Sequence, residues 1–284
     1  MKQFHALILA GGFGTRLMQE IAADTSGRYD HLNGSSKGLI PLPETNLIVL
    51  PKNDSTIAGY WVDQFKKSER ISKVGIGSNR THYEQFFAWK ASNQIDLLLD
   101  HNSVEDNKTR NGTVKDWEYF TSKFGLNGPL VTVACDLLFY DFDLNKALDF
   151  YEAKEQQTVV GCYKTTDLTK KGIISIDGEG RIKEFYESPG QVPADFKDEG
   201  WRCAAFYILN EKANTYHRQD FIQEKEAEAF AKGYDQEQTR ALYDSPGQFI
   251  QWLINKEPVF AYKVQGRFDI GSKKDLERML EVNK

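Results

Sequence analysis

The sequence predicts an α/β protein with a doubly wound, mixed but mostly parallel sheet. Short apolar runs alternate with helical patterns over residues 1–160, the mark of strand–helix–strand units on a parallel sheet. The pattern then changes. Ile173 to Ile176 and Ile182 to Tyr186 flank Asp177-Gly178-Glu179-Gly180, a β-hairpin inserted in that frame. The 284 residues and 40% hydrophobic content suit one substantial core. The chain therefore reads as a single domain, 1–284, with halves at 1–160 and 161–284.

Taken in order, residues 4–10 form a first buried strand that stops at Gly11 and Gly12. Residues 18–46 are polar and irregular, a long loop that should cover something. Residues 47–50 suggest a small hairpin arm. Ser55 is a candidate cap for a helix to about Lys67, with Ile57, Trp61, Val62 and Phe65 on one side. Val74 to Ile76 reads as a strand, Thr81 to Ala91 as a helix and Ile95 to Leu99 as a strand. Gly112 opens a helix with Val114, Trp117, Thr121 and Phe124 on one face, and Leu130 to Ala134 is a buried strand ending at Cys135-Asp136. In the second half Arg202 to Leu209 reads as a strand and 211–232 as a solvated helix. Pro246 to Lys256 is a helix, Val259 to Tyr262 a strand and Ser272 to Val282 a closing helix.

Composition excludes several classes. The net charge is −5 and no basic stripe appears, so nucleic acid is not an expected partner. No apolar run approaches membrane-spanning length, and Leu7-Ile8-Leu9 is too short for a signal-peptide core. Cys135, Cys162 and Cys203 are far apart in apolar runs. They read as buried reduced thiols in a cytoplasmic protein, and no Cys/His spacing suggests zinc.

The chemistry gathers at Leu9-Ala10-Gly11-Gly12-Phe13-Gly14-Thr15-Arg16. Three glycines within four positions allow a sharp turn and close approach of a ligand. The free N–H groups of such a turn form an anion-binding concavity, and Arg16 adds a fork suited to phosphate oxygens. Plain turn chemistry also fits the glycines. A dinucleotide G-x-G-x-x-G does not, because Leu17 occupies the third glycine position.

The opening L-x-L-A-G-G-x-G-T-R-L, followed by Lys37 in Ser36-Lys37-Gly38-Leu39-Ile40-Pro41-Leu42, resembles the sugar-1-phosphate nucleotidyltransferases. The resemblance implies their Rossmann-like fold, with a nucleotide-binding half (1–160) and a sugar-binding half (161–284) carrying the inserted hairpin. The C-terminal β-helix of some members is not expected in these 284 residues. It implies that Leu9, Ala10, Gly11, Gly12, Gly14, Thr15 and Gly112 hold a nucleoside triphosphate, with Arg16 and Lys37 as catalytic cations. Asp136, at the end of a strand, is placed to hold Mg²⁺, although an ordinary turn aspartate also fits. Phe185-Tyr186-Glu187-Ser188-Pro189 resembles the sugar segment Phe-x-Glu-Lys-Pro. There Gly172, Glu187 and Arg202 would meet the sugar phosphate. Ser188 replaces the lysine, a charge that Lys183 or Arg202 could restore. Gly266-Arg267-Phe268-Asp269-Ile270-Gly271 resembles Trp-x-Asp-Ile-Gly, which makes Asp269 the second metal carboxylate.

The expected reaction transfers a nucleoside monophosphate to a sugar-1-phosphate with release of pyrophosphate, using Mg²⁺ or alternatively Mn²⁺. No side-chain nucleophile is needed, because the acceptor phosphate is already ionised. Positioning and electrostatics carry the rate. Two other readings remain open: a cytidylyltransferase for a non-sugar phosphate such as phosphocholine, and a non-catalytic nucleotide- or sugar-phosphate-binding regulator. Neither the base, the sugar nor a homo-oligomeric state is fixed by these residues.

Overall fold

The computed structural model describes residues 3–42, 51, 54–196 and 200–281. The expected arm at 47–50 lies outside them. Strand β1 (Phe4–Ala10) pairs in parallel with β2 (Ile71–Ser78) on one side and β4 (Leu130–Ala134) on the other. β3 (Leu98–His101) extends the β2 edge, again in parallel. β9 (Trp201–Leu209) runs antiparallel between β4 and β6 (Thr158–Lys164), and β10 (Val259–Lys263) lies parallel to β6. The order β10-β6-β9-β4-β1-β2-β3 is thus mostly parallel, with β9 reversed. The inserted hairpin, β7 (Ile173–Ile176) and β8 (Ile182–Tyr186), joins the sheet through β9.

Both faces of this sheet are covered, which is why its inner strands are nearly continuous in apolar residues. Ala6 and Ile8 point into one core, packed by α1 (Thr15–Ala22), α2 (Ile57–Lys66), α3 (Arg80–Ser92), α5 (Leu144–Ala153) and α9 (Lys273–Glu281). Leu7 points into the other, packed by α4 (Thr113–Phe124), α6 (Arg218–Lys232) and α8 (Pro246–Leu253). Gly77 lets α4 come close: a Cβ there would stand 2.2 Å from the Phe120 ring. The opening of α4 is thereby set beside the end of β1.

The chain steps from β1 outward through β2 and β3, then returns to β4 on β1's other side. That reversal makes a switch-point crevice beyond the carboxyl ends of β1 and β4, where ligands of open α/β sheets bind. Leu9 pairs with Ala134, and the Cys135 N–H donates to the Leu9 carbonyl at 3.0 Å. The glycine turn after β1 and Asp136 after β4 are therefore neighbours.

Several expectations need correction. The segment 18–46 is not irregular throughout, because α1 reaches Ala22, with Leu17 and Ile21 one turn apart in the core. Its remaining described part is pinned by buried Tyr29, Leu32, Ile40 and Leu42. Thr56, not Ser55, caps α2, accepting from the Gly59 N–H at 3.0 Å. β3 starts three residues later than expected. The predicted helix 211–232 opens with a π-turn, Ala213–His217. The sequence reading misses α5, β6, a short helix α7 (Gln236–Ala241) and the two-stranded ribbon of β5 (Leu137–Phe139) and β11 (Arg267–Asp269).

Candidate active site

A cleft of about 400 Å³ occupies the crevice. Of the predicted residues, Leu9, Gly11, Gly12, Gly14, Lys37, Gly112 and Asp136 line it. Ala10 is buried behind it and Thr15 is exposed on α1. Gly14 caps α1 with φ 60° and no side-chain cap bond. The first N–H groups of α1 are thus free to meet an anion.

The segment after α1 delivers Lys37. The Ser36 N–H donates to Gln85 Oε1 at 2.8 Å, and Gly38 packs on Phe86 and Cys135. Lys37 Nζ lies 3.0 Å from Asp136 Oδ2, with 17% and 26% of the two side chains exposed. Burial acts against the ammonium, but Asp136 and then Asp269 outweigh it and raise the Lys37 pKa. Lys37 stays charged at any ordinary working pH.

The β5–β11 ribbon brings Asp269 to the same place. The Ile270 N–H donates to the Asp136 carbonyl at 3.1 Å, and Asp269 pairs with Leu137. The Trp61 indole donates to the Leu137 carbonyl at 2.7 Å, which ties the ribbon to α2. Burial, then the Asp136 charge, raises the Asp269 pKa, while Arg267 and Lys37 oppose that shift. Two neighbouring carboxylates with this strain are a fitting site for a divalent cation. Arg16 stands at the open side, with its side chain 69% exposed and ion pairs to Glu20 (3.7 Å) and Asp275 (3.8 Å). Its Nη2 and Asp269 Oδ1 flank Gly271, each 3.7 Å from where a Cβ would stand.

The other end of the cleft is built from α4. Gly112 has φ 95°, and a Cβ there would lie 3.0 Å from the Tyr243 ring. Asp116, one turn further, lines the cleft beside Gly11 and is missing from the sequence reading. Its Oδ1 accepts from Asn102 (2.8 Å) and Asn111 (3.1 Å). Burial raises its pKa, against the pull of those two amides. Arg110 grips Asp244 through Nε and Nη2, and both line the cleft. A polar residue within α4's apolar stripe was the available signal for Asp116.

The sugar-segment residues gather around β9. Ala205, at φ 53° opposite a register shift in β6, and Tyr207 line the cleft. Such bulges re-aim side chains beside active sites. The Gly172 carbonyl accepts from the Cys203 N–H at 2.7 Å. Arg202 Nε donates to the Lys171 carbonyl at 3.0 Å. Glu187 sits against Ser245 and Gly247 at the start of α8, and its burial raises its pKa. Gly172, Glu187, Arg202 and Asp269 are not among the residues lining the 400 Å³ cleft.

The sequence profile described as nucleotidyl transferase matches residues 45–281. That span begins after the glycine turn, so the match does not depend on the motif first noticed. A glucose-1-phosphate adenylyltransferase from Thermosipho africanus is 26% identical over 282 residues, 96% of this chain, and the chain spans 60% of that relative's length. Among solved structures, a Bacillus anthracis chain provisionally named glucose-1-phosphate thymidylyltransferase aligns with TM-score 0.67 and 16% identity. The alignment covers 97% of this chain and 93% of that one. A CTP:phosphocholine cytidylyltransferase from Streptococcus pneumoniae aligns with TM-score 0.64 and 14% identity over 99% of both chains. Among the described residues no helix is long and apolar enough to cross a membrane. With the profile covering most of its length, the chain belongs to the nucleotidyl transferase family.

Proposed function

We propose that the protein is a sugar-1-phosphate nucleotidyltransferase, joining a nucleoside monophosphate from a triphosphate to a sugar-1-phosphate and releasing pyrophosphate. The observation that carries this reading is the row Lys37–Asp136–Asp269 beside the glycine turn. The base would lie between Gly11 and the opening of α4. The triphosphate would lie along Gly12, Gly14, Thr15 and the first N–H groups of α1, with Arg16 over the outer phosphates. A non-bridging oxygen of the acceptor phosphate forms a bond to the α-phosphorus. The bond from that phosphorus to the α–β bridging oxygen breaks, and pyrophosphate departs with the electron pair. Lys37 neutralises charge as it builds on the α-phosphoryl oxygens.

Asp136 and Asp269 would hold Mg²⁺ or Mn²⁺. Among the described residues no cluster of three or more His, Cys, Asp or Glu is placed to hold a metal. A two-carboxylate site suits Mg²⁺, which completes its shell with water and substrate phosphates. The ion supplies charge neutralisation between the reacting phosphates. Glu187, at the start of α8, is a carboxylate able to accept from sugar hydroxyls. The test is pyrophosphate release across a grid of five triphosphates and a set of sugar-1-phosphates, with phosphocholine included. Turnover with a sugar-1-phosphate supports the reading. Turnover with phosphocholine alone replaces it with the cytidylyltransferase reading, and binding without turnover replaces it with the regulator.

A further inference from the structure

Ser188 leaves the acceptor side one cation short of the resembled segment, and Ser188 itself only opens an exposed turn, donating its N–H to Gln191 Oε1 at 3.0 Å. Lys183 is exposed on β8. Another cation is buried nearby. Alternation along β11 puts Arg267 on the face of Asp269, with Nη2 3.2 Å from Asp269 Oδ2. The Arg267 side chain is 9% exposed, against 44% for Asp269. Its guanidinium lies 5.2 Å from the centroid of the Tyr163 ring, and that of Arg202 lies 6.0 Å from the same ring. The Arg267 charge acts on Cys203 and on Tyr207, a residue that lines the cleft.

A guanidinium withdrawn from water needs a counter-charge. Asp269 is the carboxylate at hydrogen-bonding distance, and in the reading above Asp269 would help hold a metal ion. Arg267 then requires another anion, and a phosphate monoester offers two oxygens to its fork. We infer that Arg267, with Arg202 beside the same Tyr163 ring, clamps the acceptor phosphate in place of a lysine at position 188. This rests on the nucleotidyltransferase reading and names the residues that set its acceptor class: a dianionic phosphate monoester.

Inorganic phosphate, titrated by calorimetry, is the probe. The full-length protein is first saturated with Mg²⁺ and α,β-methylene analogues of the five triphosphates, which occupy the donor site without reacting. The expected result is that phosphate binds the wild type, that Arg267→Gln weakens it roughly tenfold or more, and that Arg267→Lys recovers part of the loss. Arg202→Gln causes a smaller loss and stands in if Arg267→Gln does not fold. Nucleotide affinity in Mg²⁺ is unchanged in each variant. Unchanged phosphate affinity in the variants overturns the inference, as does a wild type that binds no phosphate. A parallel fall in nucleotide affinity overturns it too, since Arg267 would then only position Asp269. Failure of the underlying function is separately visible as phosphate binding without pyrophosphate release across the grid.

Discussion

Replacing Lys37 with Met removes one charge while keeping the stem that packs against Gly14, where Lys37 Cγ lies 3.3 Å from the position a Cβ would take. In the resting protein the loss is modest. The pair with Asp136 is partly solvated, and a charged hydrogen bond there contributes about 1–2 kcal/mol. In the transition state the same ammonium meets charge building on the α-phosphoryl group. Losing such a contact typically costs about 2–4 kcal/mol, or about 30-fold to about 1,000-fold in kcat. The assay is the initial rate of pyrophosphate release at saturating substrates, with thermal melts run alongside. A raised lysine pKa contributes stability that is present below the ordinary lysine range and lost as pH climbs through the raised value. The variant should therefore show a flatter alkaline limb than the wild type. A folded Lys37→Met protein with kcat within about threefold of wild type refutes the placement of Lys37 beside the reacting phosphate.

Asp136→Asn and Asp269→Asn should each weaken nucleotide binding in Mg²⁺ and leave it unchanged or tighter in EDTA, where one repelling charge is gone; equal effects in both buffers contradict a shared cation site. Gly14→Ala should destabilise by about 1–2 kcal/mol in denaturant melts, because φ is 60° and the new methyl meets Lys37. Asp116→Asn should stabilise the fold at neutral pH. Burial raises the Asp116 pKa, so its carboxyl contributes most below the unfolded carboxylate pKa and loses that contribution as pH rises through the raised value. Asn keeps the Oδ1 acceptor for Asn102 and Asn111. Its advantage in melting temperature should shrink as pH falls below the carboxylate range, and an advantage constant with pH argues for a packing cause instead.

The parts of the site that follow long periodic runs are legible in the sequence. The glycine turn ends a seven-residue strand and Asp136 follows a five-residue one, so the apolar pattern itself announces both. The pairing of Asp136 with Asp269 is expected from the family resemblance and not from periodicity, because the ribbon that makes it consists of β5 and β11, each three residues long, below the length at which alternation can be recognised. Arg267 is hidden for the same reason, although its spacing of two from Asp269 was present. Ser55 and Thr56 offer equivalent hydroxyls, and only the register of α2 against Asp54, which accepts from Thr56 Oγ1 at 2.7 Å, selects Thr56. The segment on either side of Lys37 looks like a polar cover, yet Tyr29, Leu32, Ile40 and Leu42 anchor it, and no fixed period marks them.

The most direct test of the central claim follows the oxygen atoms. A sugar-1-phosphate that supports turnover is prepared with oxygen-18 in its non-bridging phosphate positions and incubated with the triphosphate, Mg²⁺ and the protein. Mass spectrometry and phosphorus NMR then locate the label. The account predicts oxygen-18 in the bridge between the two phosphorus atoms of the nucleotide sugar and none in the pyrophosphate. Label in the released pyrophosphate, or an unlabelled bridge, would show that the acceptor phosphate does not attack the α-phosphorus and would contradict the account.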